Sequence, residues 1–116
     1  MPSIAATTRI RGDVTILDLV LSASPGDGHE SLVELVHRLE QQDRLKILLN
    51  CRHLRYINAE GLGEIVNAYL VARESGGELR ICCLQRQSDG IYKPFRFPFD
   101  LDSSEEESLR RFGAES

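Results

Sequence analysis

Several things are scarce in this chain, and each scarcity excludes something. No apolar run approaches the ~20 residues needed to cross a bilayer as a helix. The segment Met1 to Thr8 has no basic stretch, hydrophobic core or cleavage site, so no signal peptide is expected. Basic residues are not in excess: 14 Lys and Arg stand against 18 Asp and Glu, a formal net charge of -4. Nucleic-acid binding needs a concentrated basic face, and Arg9, Arg11, Arg52 and Arg55 are too scattered to supply one. Cysteines number three, an odd count, and Cys51, Cys82 and Cys83 all lie in or beside apolar runs. Buried thiols in a reducing compartment, rather than disulfides, are the reading, and cytoplasmic residence follows by default. At 116 residues the chain suits one domain (1–116) that needs no staple to hold a core.

What is present reads as alternating strands and helices. Thr7 to Arg11 and Val14 to Leu21 are β-prone runs joined at Gly12-Asp13, a hairpin signal. After a loop from Ser22 to Gly28, capping-box spacing occurs twice, at Asp27-Gly28-His29-Glu30 and at Ser31-Leu32-Val33-Glu34. Leu32, Leu35, Val36 and Leu39 then form one apolar helical stripe. Leu45 to Asn50 is a nearly continuous apolar run, as in a strand covered on both faces.

Tyr56-Ile57-Asn58-Ala59-Glu60-Gly61-Leu62-Gly63 follows as a strand-to-helix turn, a place where side chains and backbone N–H groups meet partners. Leu62, Ile65, Val66 and Tyr69 mark a second helix, stopped at Ser75-Gly76-Gly77. Leu79 to Leu84 is a third buried strand. Phe95, Phe97, Phe99 and Leu101 alternate as an edge strand interrupted by Pro98. Ser103-Ser104-Glu105-Glu106 opens a last helix whose Leu109 and Phe112 meet the body, with Glu105 to Glu107 as first-turn acids on a solvated face. The order ββαβαββα implies an α/β fold with a mixed, mostly parallel sheet of about five strands, the N-terminal strand antiparallel and the helices packed on the sheet.

Metal and enzyme chemistry find little support. Cys51-x-His53 would share a face if the strand continued, yet no further zinc ligands have suitable spacing and no third group orients a nucleophile and base. Gly61-Leu62-Gly63 lacks the flanking glycines and lysine of a phosphate-cradling loop. No catalytic residue, metal ligand or cofactor is assigned.

The order of elements resembles the STAS domain, the fold of bacterial anti-sigma factor antagonists, over residues 8–112. The resemblance rests on Gly12 to Leu19, Ile47 to Asn50, Tyr56-Ile57 leading to Gly61-Leu62-Gly63, Ala68-Tyr69, and Arg73 to Ile81. In that family the turn reads Asp-Ser-x-Gly-Leu-Gly, and its serine is phosphorylated by a partner kinase that doubles as an anti-sigma factor. Phosphorylation adds nearly two negative charges at a desolvated contact and ends the binding.

Here Asn58, Ala59 and Glu60 occupy the Asp-Ser-x positions, and no Ser or Thr lies between Tyr56 and Gly63. The resemblance therefore implies a non-catalytic, cytoplasmic protein-interaction domain that is not phospho-switched at this turn. Its partner would be an anti-sigma factor serine kinase, and its docking residues Asn58, Ala59, Glu60, Gly61, Leu62, Glu64 and Asn67. Glu60 either mimics the phosphorylated form or simply favours the helix dipole, the plainer role. The family's amphipathic helix before the last strand is shortened to a turn within Gln85 to Pro94. Scaffold or transporter-associated regulatory roles, which STAS domains also fill, are the alternative, and assembly of several copies is left open.

Overall fold

The structure is a computed structural model that describes residues 3–22, 31–54, 59–84 and 101–113. Two strands, β1 (Ser3–Arg11) and β2 (Val14–Ser22), form an antiparallel hairpin. Its two-residue loop holds Gly12 at φ 61°, a left-handed conformation that glycine adopts without strain. Helix α1 (Leu32–Gln41) leads to β3 (Lys46–Asn50), and α2 (Ala59–Glu74) leads to β4 (Glu78–Cys82). A two-residue β5 (Leu101–Asp102) precedes α3 (Glu105–Gly113). The strands lie in the order β1-β2-β3-β4-β5; every pair after the first is parallel. The mixed, mostly parallel five-stranded sheet expected from the pattern is the one observed.

Local chemistry sets the helix limits. Of the two capping-box candidates, the described residues contain Ser31, which caps α1. Its Oγ accepts from Glu34 N at 3.1 Å while its own N–H donates to Glu34 Oε1 at 3.0 Å. The Asp27–Glu30 alternative lies outside the described residues. Helix α2 ends in a Schellman motif: Gly76 (φ 81°) donates to Arg73 O at 3.1 Å and Gly77 to Ala72 O at 2.9 Å. Gly77 must also lack a β-carbon, which would lie 2.9 Å from Leu45 O. At α3, Ser104 Oγ accepts from Glu107 N at 3.1 Å and Glu107 Oε1 accepts from Ser103 N at 2.9 Å, so Ser104 caps the helix.

Strand alternation divides the core in two. Leu17, Leu19, Ile47, Leu49, Leu79 and Ile81 face α1 and α2, with Leu35, Val36, Ile65 and Ala68 packed onto them. Val14, Ile16, Leu48 and Cys82 face the other way and are covered by Phe112 and Leu109 of α3. The phase of α2 differs slightly from the expected stripe. Leu62, Ile65, Ala68 and Ala72 are buried, while Val66 and Tyr69 are only half-buried. Small alanines let α2 lie close to the sheet, which hydrophobicity alone does not signal. Leu45, expected in β3, precedes it and is exposed.

Two further expectations change. The β3 strand ends at Asn50, so Cys51 turns into the core while His53 is exposed, and the pair shares no face. Burial pushes the Cys51 thiol up to about 12, and Cys82 is likewise raised; Cys83 is half-buried. Of the acids at the start of α3, Glu106 is exposed as expected, but Glu105 is not on a solvated face. Glu105 is held by Arg9, Arg11 and Asn50 at 2.6, 2.8 and 2.9 Å, because strands β1 and β3 bring those side chains under the helix N-terminus. Phe95, Phe97, Phe99 and the shortened segment Gln85 to Pro94 lie outside the described residues; Leu101 forms β5.

Candidate functional site

The strand-to-helix junction after β3 opens α2, so its first turns hold most of the residues singled out in the sequence. Ala59 is the first residue of the helix, and Asn58 lies outside the described residues. Glu60 and Asn67 are exposed, and Gly61 is half-buried. Leu62 points into the core at 2% exposure, because it belongs to the buried stripe. Glu64 has a structural engagement: its Oε1 accepts from Leu32 N, the first helical N–H of α1, at 3.1 Å. That donor has no partner within its own helix, so Glu64 ties the start of α2 to the start of α1.

The exposed face of α2 is formed by Glu60, Gly63, Asn67 and Leu70, at spacings of three, four and three. Gly63 and Leu70 thus join a surface that sequence reasoning assigned without them. A signal for Leu70 was present: it is apolar but out of phase with the buried stripe, and it is 43% exposed. Gly63 is distinctive for another reason. A β-carbon built there meets nothing within 4 Å, and its φ is not positive. Glycine inside a helix costs roughly 0.5–1 kcal/mol relative to alanine, and among the described residues no packing contact requires it there.

A concave surface lies on the opposite face of the sheet. It is a cleft of about 820 Å³ whose wall includes Arg9, Asp18, Asn50, Arg52, His53 and Glu105. Three of its charges are paired with one another: Arg9 makes a bidentate pair with Asp18 at 2.5 and 2.9 Å and reaches Glu105. The hydrogen bonds from Arg9, opposed by burial and reinforced by Arg11 and Asn50, lower the Glu105 carboxyl to about 2. Among the described residues no group of three or more His, Cys, Asp or Glu side chains could hold a metal ion. No helix among them is long and apolar enough to cross a membrane.

The hairpin, the two parallel strand–helix–strand units and the α2 junction define an α/β domain of the STAS class. The STAS domain model matches residues 27–97, more than half of the chain, and the protein belongs to that family. STAS domains are generally non-catalytic, and the chain has the general scaffold of that family, the one anti-sigma factor antagonists share.

Proposed function

We propose that the chain is a protein-docking domain whose partner contacts the start and exposed face of α2, and that this contact is not controlled by phosphorylation at the turn. The observation carrying this reading is Gly63. It weakens the helix, meets no packing need among the described residues and leaves backbone open on the same face as Glu60, Asn67 and Leu70. Such a residue is suited to close approach by another surface. Ala59 offers no hydroxyl where the family carries its phosphoacceptor, so binding is constitutive at this site. Glu60 places an acid in the first turn, favourable with the helix dipole by a few tenths to ~1 kcal/mol. By family resemblance the partner is an anti-sigma factor serine kinase, and the setting is the bacterial cytoplasm.

The test pairs a stability measurement with a binding measurement. Gly63→Ala should raise helix stability by roughly 0.5–1 kcal/mol while weakening capture of the cognate anti-sigma kinase at least several-fold. Asn67→Arg should weaken capture with little change in stability. Incubation with kinase and ATP should leave residues 50–70 unmodified by phosphopeptide mapping. Unchanged binding in both variants, or phosphate in that segment, would overturn the proposal.

A further inference from the structure

Among the described residues, two that are not glycine have positive φ, Asp43 and Cys83, both at 62°. Asp43 follows the end of α1, and the short polar side chain of aspartate tolerates this conformation. Cysteine has no such tolerance, so its surroundings hold Cys83 in an uncommon and costly geometry. Its N–H donates to Asp102 O at 3.1 Å, and its thiol donates to Ser103 O at 3.8 Å. Both acceptors belong to the segment that leads into α3.

This left-handed residue breaks the alternation of β4. Ile81 packs in the core layer under α1 and α2, and Cys82 in the layer under α3. Regular alternation would return Cys83 to the first layer. Instead Cys83 packs beside Cys82 in the cluster that contains Leu48 and Phe112, and Leu84 packs in the first layer. Two consecutive thiols thus lie on one face of the sheet and interact with each other. They differ in access. Cys82 is fully buried, whereas Cys83 is half-buried and forms part of the wall of the 820 Å³ cleft. Cys51, the third thiol, is buried in the other core layer.

We infer that Cys82 and Cys83 form an oxidation site, at which hydrogen peroxide converts the two adjacent thiols into a reversible disulfide. The Cys83 thiolate, reached through the cleft, attacks one peroxide oxygen. The S–O bond forms, the O–O bond breaks, and the departing hydroxide takes up the proton released by Cys83 and leaves as water. The Cys82 sulfur then attacks the sulfenic sulfur of Cys83. The S–S bond forms, the S–O bond breaks, and hydroxide leaves with the Cys82 proton as a second water. Two thiols lose two electrons in all, and one peroxide is reduced to two waters. Consecutive Cα atoms across a trans peptide are about 3.8 Å apart, below the roughly 4.4 Å at which ordinary disulfides begin. The ring is therefore strained, and an added thiol reopens it.

Peptide mapping reads the site directly. Trypsin cleavage after Arg80 and Arg86 releases Cys82 and Cys83 in one peptide, and cleavage after Lys46 and Arg52 releases Cys51 in another. The folded chain is treated with hydrogen peroxide, quenched with catalase, denatured, alkylated and digested. Peptide 81–86 should be lighter by two hydrogens and accept no alkyl group, and dithiothreitol before alkylation should restore both sites. Cys51 should be lost to oxidation at least several-fold more slowly. In Cys82→Ser, dimedone should trap the sulfenic acid of Cys83. In Cys83→Ser, peroxide should consume Cys82 at least several-fold more slowly than in the parent. Three results would overturn the proposal: both cysteines still alkylated after peroxide, oxygen added to Cys83 while Cys82 stays free, or a disulfide from either to Cys51 or to a second chain. The site lies on the face of the sheet opposite α2, so either reading can fail without the other.

Discussion

Glu40 shows how a single side chain can work against the fold that contains it. It closes α1 at 8% exposure, and among the described residues neither carboxylate oxygen has a hydrogen-bond partner. Oε2 lies against Gly77, where a β-carbon would come within 2.6 Å. Burial raises its pKa above the ordinary 4.5, outweighing the opposing influence of Ser75 and His37. The folded-state value therefore lies above the unfolded one. Its favourable balance holds below the unfolded pKa and is lost as pH rises through the folded one. Glu40→Gln should accordingly stabilise the protein at pH 7 by about 0.5–1 kcal/mol and have a smaller effect near pH 4, read by urea denaturation at both pH values. The sequence marks Glu40 only as a polar residue next to the helix end. Its burial follows from Gly77, whose missing side chain lets α1 and the α2–β4 connection close together.

At the scale of elements, α1 depends on two acceptors from different parts of the chain. Ser31 caps it locally, and Glu64 reaches it from α2. Ser31→Ala should lower stability by about 1 kcal/mol through loss of the cap, measured by thermal or urea unfolding. The local cap was legible in the spacing Ser31-x-x-Glu34, because both partners lie within one turn. The Glu64 contact was not, because it spans 32 residues and needs the two helices side by side on one face. The same distinction explains α2. Its existence and its glycine stop are written in local spacing, but the exchange of Val66 and Tyr69 for Ala68 and Ala72 in the core reflects how closely the helix approaches the sheet.

The whole molecule is joined across its second face by two polar clusters. Asp102, 3% exposed, accepts from Arg80 at 2.8 and 3.1 Å and from Ser108 at 2.5 Å, with Arg111 at 3.2 Å, so it links β4, β5 and α3. Burial opposes its ionisation, yet these partners prevail and its pKa is lowered. Glu105 links β1, β3 and α3 and is lowered from 4.5 to about 2. For a depressed carboxyl the contribution is present above the unfolded pKa and is lost as pH falls through the folded one. Glu105→Gln should lower stability at pH 7 by on the order of 1–2 kcal/mol, the exposure of Arg9 and Arg11 limiting the effect. That difference should shrink between pH 4.5 and 2, followed by urea denaturation across that range.

The sequence by itself determined the element order, the hairpin, the mostly parallel sheet and the lack of a hydroxyl at position 59. These depend on periodicity, turn residues and residue identity, all of which act within a few positions. Only the tertiary structure decided that Glu105 is an inter-element tie, that Leu62 faces the core, and that Gly63 and Leu70 share the exposed face of α2. Burial and ion pairing depend on strands and helices meeting from distant parts of the chain, and on which of their faces remain uncovered.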